Sequence, residues 1–121
     1  MANRIAGVAY LKVDGNQYPL RGNFVVSPSV VERTGIAGQD YVHGYSELPR
    51  CPGISGDVSL VPELNVDDVE RVVNATVTAE LANGKTYVLR EAWCRAAHEL
   101  QTRDGQVMVR FEGTSCDEIG A

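Results

Sequence analysis

The run ATVTAELANGKTYVLR, residues 75 to 90, constrains the fold more than any other part of the chain, because it carries both a strand pattern and the turn that fixes how two strands meet. Apolar and polar residues alternate on either side of Asn83-Gly84, the period of a half-buried strand. A two-residue Asn83-Gly84 loop sets Val77 opposite Arg90 and Leu81 opposite Thr86, whereas a three-residue Ala82-Asn83-Gly84 loop sets Val77 opposite Leu89 and Ala79 opposite Tyr87. Only the second register segregates the faces, and a one-residue slip would expose the whole apolar set. It also places Gly84 at the left-handed position of a bulged type I turn. The expected structure is therefore an antiparallel hairpin with the three-residue loop.

Similar signals recur along the chain. IAGVAYLKV (5 to 13) ends in Asp14-Gly15-Asn16 and is followed by QYPL and GNFVVSP, which reads as a hairpin leading into a third extended segment. GISGDVSLV (53 to 61) is extended until Pro62 removes a ladder donor. QVMVRFE alternates Val107, Val109 and Phe111 inward with Gln106, Arg110 and Glu112 outward, and a two-residue Asp104-Gly105 loop would put Leu100 opposite Val109. EAWCRAAHEL fits strand and helix alike, since Ala92, Ala96 and Leu100 also recur at helical spacing. One helix is expected over residues 65 to 73, NVDDVERVV. There Asn65 caps, Asp67 and Asp68 face the positive end of the dipole, and Leu64 staples onto Val69. Its stripe of Val66, Val69, Val72 and Val73 would dock on the sheet. The sum is about seven or eight strands and one short helix in a single domain, residues 1 to 121, mainly β: an antiparallel sandwich or barrel.

Charge and chemistry exclude several functions. Sixteen acidic against eleven basic residues give a net charge of -5, and no basic run exists to grip a phosphate backbone. The N-terminus lacks signal-peptide character and no long apolar run follows, so a soluble protein made in a cytosol is expected. Cys51, Cys94 and Cys116 are too few and too widely spaced for a disulfide framework or zinc knuckles, and read as reduced packing residues. His43 lies near Asp40 and Ser46, but no nucleophile elbow accompanies them. His98 sits on the ambiguous segment and reads as a half-buried sheet or helix residue. Gly35, Gly38 and Gly44 are followed by neither the helix nor the Lys and Ser/Thr of a phosphate cradle. Asp67, Asp68 and Glu70 read as a solvated helix start. No catalytic residue, cofactor or metal is expected.

The stretch ERTGIAGQDYVHGY, residues 32 to 45, stands apart. It is too glycine-broken for a helix and too irregular for a strand, so a long early loop is expected over residues 29 to 50. Fixing such a loop costs on the order of 1–2 kcal/mol per residue in backbone entropy. Ile36, Tyr41, Val42 and Tyr45 offset that only if well covered, and segments this long and apolar are usually functional rather than disordered. Two readings are open: an Ω-loop folded back on its own sheet, or an arm that orders against another copy of the protein. The second makes Ile36, Tyr41 and Tyr45 anchors across subunits, mobile in an isolated monomer.

The order of short matches NRIAG, VDG, LRG, SPS, ER-G-AGQD-VHGY-E-P, TAELANGKTYVLREAW and VRFEGTS resembles the tail tube proteins of Mu-like contractile phages from residue 3 to 119. The resemblance implies a β-sandwich or barrel-like subunit, similar in fold to type VI secretion tube proteins. Such subunits form hexameric rings whose sheets join into one inner barrel, and the rings stack into a tube through which DNA passes into the host cell. It further implies sheath, tape-measure and baseplate partners, no membrane insertion, and a place in the virion tail after assembly in the host cytoplasm. The family has no catalytic residues to carry over. Its long loop reaches a neighbouring subunit or ring, which makes Arg33, Ile36, Asp40, Tyr41, Val42, His43 and Tyr45 the expected interface residues. The alternative is a monomeric β-sandwich module that binds through residues 29 to 50. One further expectation concerns the sheet face carrying Thr76, Thr78 and Glu80 opposite Arg90, Val88 and Thr86, which is polar enough to border a water-filled channel or to meet outside solvent.

Overall fold

A computed structural model describes residues 8–95 and 99–120 of the chain. His98 therefore lies outside the described residues. The strands, in chain order, are β1 (Tyr10–Val13), β2 (Asn16–Tyr18), β3 (Leu20–Ser27), β4 (Val31–Ala37), β5 (Val42–Pro49), β6 (Gly53–Ser59), β7 (Ala75–Glu80), β8 (Thr86–Cys94), β9 (Leu100–Gln101), β10 (Gln106–Glu112) and β11 (Ser115–Ile119). A single helix among the described residues, α1 (Val66–Glu70), precedes β7. The chain is mainly β, as expected, with more strands than the seven or eight read from the sequence. The additions are β11, which the sequence reading did not cover, the short β9 at the end of the ambiguous EAWCRAAHEL run, and the pair β4 and β5, which replaces the expected loop.

All pairing is antiparallel, and the main sheet runs β2-β1-β7-β8-β10-β6-β3, with β11 on β8 and β9 on β10. It forms two layers because β8 belongs to both. Thr86–Arg90 pair with β11 and, in part, with β7, whereas Trp93 and Cys94 pair with β10. Between these stretches Glu91 adopts φ 50, and a register shift separates Ala75↔Ala92 from Val77↔Leu89. A bulge at this point lets one strand turn the corner between sheets. Thr114 holds the corner: its N–H donates to the Arg90 carbonyl and its Oγ1 to Glu91 Oε2 at 3.2 Å. Gly113 passes so close that a Cβ there would lie 2.6 Å from the Arg90 carbonyl oxygen.

The core lies between the layers. Leu11, Val13, Val77, Ala79 and Leu89 meet Ile54, Val58, Val107, Val109 and Phe111, and Val69 of α1 joins them. The hairpin register is the three-residue one, with Val77↔Leu89, Ala79↔Tyr87 and Gly84 at φ 90. The inward set Val107, Val109 and Phe111 is buried as expected. Two expectations are corrected. Leu100 pairs with Val107 rather than Val109, because the connection is a four-residue turn, closed by the Gly105 N–H on the Gln101 carbonyl. The helix is shorter than 65 to 73: it ends at Glu70, Val73 is exposed, and Asn65 occupies the N-cap without a side-chain capping bond, donating instead to Asp68 Oδ2. Only Val69 of its stripe is fully buried, with Val72 partly buried against the core.

Candidate assembly surface

The segment read as an irregular loop is a β-hairpin, and this is the main correction to the sequence reading. β4 and β5 form a two-stranded sheet of their own, from Val31↔Pro49 through Arg33↔Glu47 and Gly35↔Tyr45 to Ile36↔Gly44, with a bulge before Ala37↔Val42. The Arg50 N–H closes the base on the Val30 carbonyl at 2.9 Å. Period-2 alternation is illegible here because the hairpin has no core side. Tyr45 falls on one face with Arg33 and Glu47, and Ile36 on the other with Leu48. β4 and β5 pack chiefly on each other. Tyr41, Val42 and Tyr45 are 68%, 70% and 64% exposed, and Ile36 and Leu48 stand in solvent as well. These side chains form no part of the core of their own subunit, which counts against the folded-back loop.

Of the seven expected interface residues, Asp40, Tyr41 and His43 come together at the tip. Asp40 Oδ1 accepts the Tyr41 N–H at 2.8 Å and lies 2.9 Å from His43 Nε2. The Tyr41 and His43 rings meet edge to face, 4.8 Å between centroids. The hydrogen bond from His43, and then the Tyr41 N–H, hold the Asp40 carboxyl below its ordinary value. Val42 begins β5 beside them. Arg33 lies further down the hairpin, where its Nε donates to Glu47 Oε1 at 2.8 Å. Leu48 and Glu47 were missed in the sequence. The VERTGIA and VHGYSELP runs around GQDY carried the signal, but pairing them needed a register that no buried face specifies.

The other candidates disperse. Ser46 lies opposite Thr34 within the strands. Asp67 and Asp68 occupy the first turn of α1, and no group of three possible metal ligands occurs among the described residues. No disulfide joins the three cysteines, of which Cys51 is exposed. Burial, with Glu70 a lesser contributor, pushes the Cys94 thiol up to about 11. A groove of about 560 Å³ between β2 and the approach to α1 is lined by residues such as Tyr18, Pro19, Leu64 and Asp68, and by none from the 29 to 50 segment.

A second surface is the outer face of β1, β7, β8 and β11. Thr78 pairs with Val88 and Glu80 with Thr86 as expected, whereas the register shift between Ala75 and Val77 removes the expected Thr76–Arg90 pair. Its cations are matched: Lys12 to Glu80 at 3.2 Å and Arg90 to Asp117 at 2.7 Å. Among the described residues, the edges of the layers at β2, β3 and β11 carry backbone groups that face no neighbouring strand.

Comparison with known proteins gives the following. The phage tail tube protein family profile matches residues 2–118. The Mu-like prophage FluMu tail tube protein of Haemophilus influenzae is 27% identical over 119 residues, covering 98% of this chain and 99% of that protein. The tail tube protein of Escherichia phage Mu is 25% identical over 91 residues, 75% of this chain and 76% of its own. Among solved structures, the tube-terminating cap of the anti-feeding prophage superposes with a TM-score of 0.65 at 8% identity, over 100% of this chain and 95% of that one. The sheath–tube complex of an extracellular contractile injection system gives 0.62 at 10% identity, over 93% and 88%. At such identities the likeness is one of fold.

Proposed function

The chain belongs to the phage tail tube protein family, and from that premise we propose that it is the structural subunit of a contractile tail tube: hexameric rings, stacked into a conduit for DNA passage into the host cell. The observation that carries the reading is the hairpin Val31–Pro49, an arm with exposed apolar and aromatic side chains and no core beneath it. Exposed apolar surface of this kind marks an interaction site, and in a self-assembling protein the cover is a neighbouring copy. Strand edges at β2, β3 and β11 that are open among the described residues favour the same reading, since a free edge invites pairing and a ring can remove it. Arg33, Ile36, Asp40, Tyr41, Val42, His43 and Tyr45 are then subunit contacts.

The proposed partners are other copies of the chain, a sheath outside, and tape-measure and baseplate proteins. The proposed location is the virion tail, assembled in the host cytoplasm. DNA crosses the lumen without specific binding, and the subunit performs no catalysis. No helix among the described residues is long and apolar enough to cross a membrane. Negative-stain micrographs of the purified protein test the proposal. Tubes or six-fold rings are the expected result. Uniform monomers at high concentration contradict it and favour the binding module built on residues 29 to 50.

A further inference from the structure

We infer that Gly38, Asp40 and His43 are positioning residues, which together hold the tip of the β4–β5 hairpin in the shape that presents Tyr41 to a second copy of this chain. The inference rests on the tube reading above and adds to it how the arm is kept ready. A two-stranded hairpin without a core side has little to fix its tip, and an unfixed tip loses conformational freedom at the moment of docking. Here the tip carries its own clamp. One carboxylate oxygen, Asp40 Oδ1, takes both the Tyr41 N–H and His43 Nε2, and the Gly38 N–H donates to the Tyr41 carbonyl at 2.9 Å. The His43 ring folds back over Gly38: a Cβ there would lie 2.5 Å from His43 Cε1, 2.7 Å from Nε2 and 2.6 Å from Asp40 Oδ1.

Two details separate this arrangement from an ordinary tight turn. Gly38 has no left-handed φ, so its lack of a side chain serves the ring above it rather than the backbone. Meanwhile Tyr41 meets the edge of His43 and still stays 68% exposed, so the contact orients the ring without covering it. A residue held in place yet uncovered is pre-organised for a partner.

The experiment measures the critical concentration for tube assembly by light scattering, together with thermal unfolding of the subunit, for wild type, Gly38→Ala, His43→Ala and the double variant. Each single change should raise the critical concentration roughly tenfold by loosening the tip. The double variant should do less harm than the two single effects combined, because the methyl group at 38 acts largely through the ring, with Asp40 Oδ1 its other close neighbour. Thermal unfolding should stay where it is. Additive effects, unchanged critical concentrations or loss of folding in a single variant each overturn the inference while leaving the tube reading intact. Wild type that never assembles overturns both.

Discussion

The Asp40 carboxylate gathers two donors on an exposed turn, and its lowered pKa fixes the sign of its pH dependence. A group whose folded pKa lies below the ordinary 3.8 adds stability above that value and loses it as pH falls through the folded one. The side-chain carboxyl resonance of Asp40 should therefore titrate below the ordinary carboxylate range. Titration at or above the ordinary value would show that Asp40 does not hold the tip. The half-buried thiols, Cys94 and Cys116, are shifted in the opposite sense. With Cys94 pushed up to about 11, roughly one thiol in a thousand is ionised at pH 8, so alkylation should label the exposed Cys51 long before Cys94. Equal labelling rates would mean that the corner of β8 opens readily.

Elements differ in how far the sequence specified them, and burial explains the difference. The β7–β8 register was legible because a slip would move Val77, Ala79 and Leu89 out of the core, and the buried alternation of β10 was legible for the same reason. β4 and β5 were not, because with Ile36 and Leu48 on one face and Tyr45 on the other there is no buried side to impose a period. The candidate residues could still be named, since exposed apolar character is a property of composition; their grouping at the tip needed the turn geometry. The bend of β8 was equally silent, as nothing in REAWC announces a left-handed Glu91. Phe111→Ala should cost about 3–5 kcal/mol of subunit stability in denaturant titrations. Gly113→Ala should cost about 1–3 kcal/mol, because the Arg90 carbonyl it would strike is backbone and cannot swing aside. A neutral Gly113→Ala would show that the corner is less tightly built than its distances imply. Tyr41→Ser, by contrast, should leave unfolding unchanged and impair assembly, and limited proteolysis of the isolated subunit should cut first within 32 to 46.

For the whole molecule, a conduit for DNA needs a wall that does not hold what passes. A wall of unpaired Lys and Arg would bind the duplex through counterion release. The outer face of β1, β7, β8 and β11 avoids this by pairing Lys12 with Glu80 and Arg90 with Asp117 around neutral Thr78, Thr86 and Val88. If that face lines the bore, Glu80→Lys combined with Asp117→Lys frees two cations and adds two more per subunit. Assembled tubes of the variant should then retain duplex DNA at low salt and release it as salt rises, whereas wild-type tubes retain none. Equal retention by both would place this face elsewhere. The central claim, that the hairpin is a contact between copies, is tested most directly by a cryo-EM reconstruction of the assembled protein. The account predicts residues 38 to 45 seated on a neighbouring subunit, with Tyr41 buried there. A tube in which the hairpin stands free in solvent would contradict it.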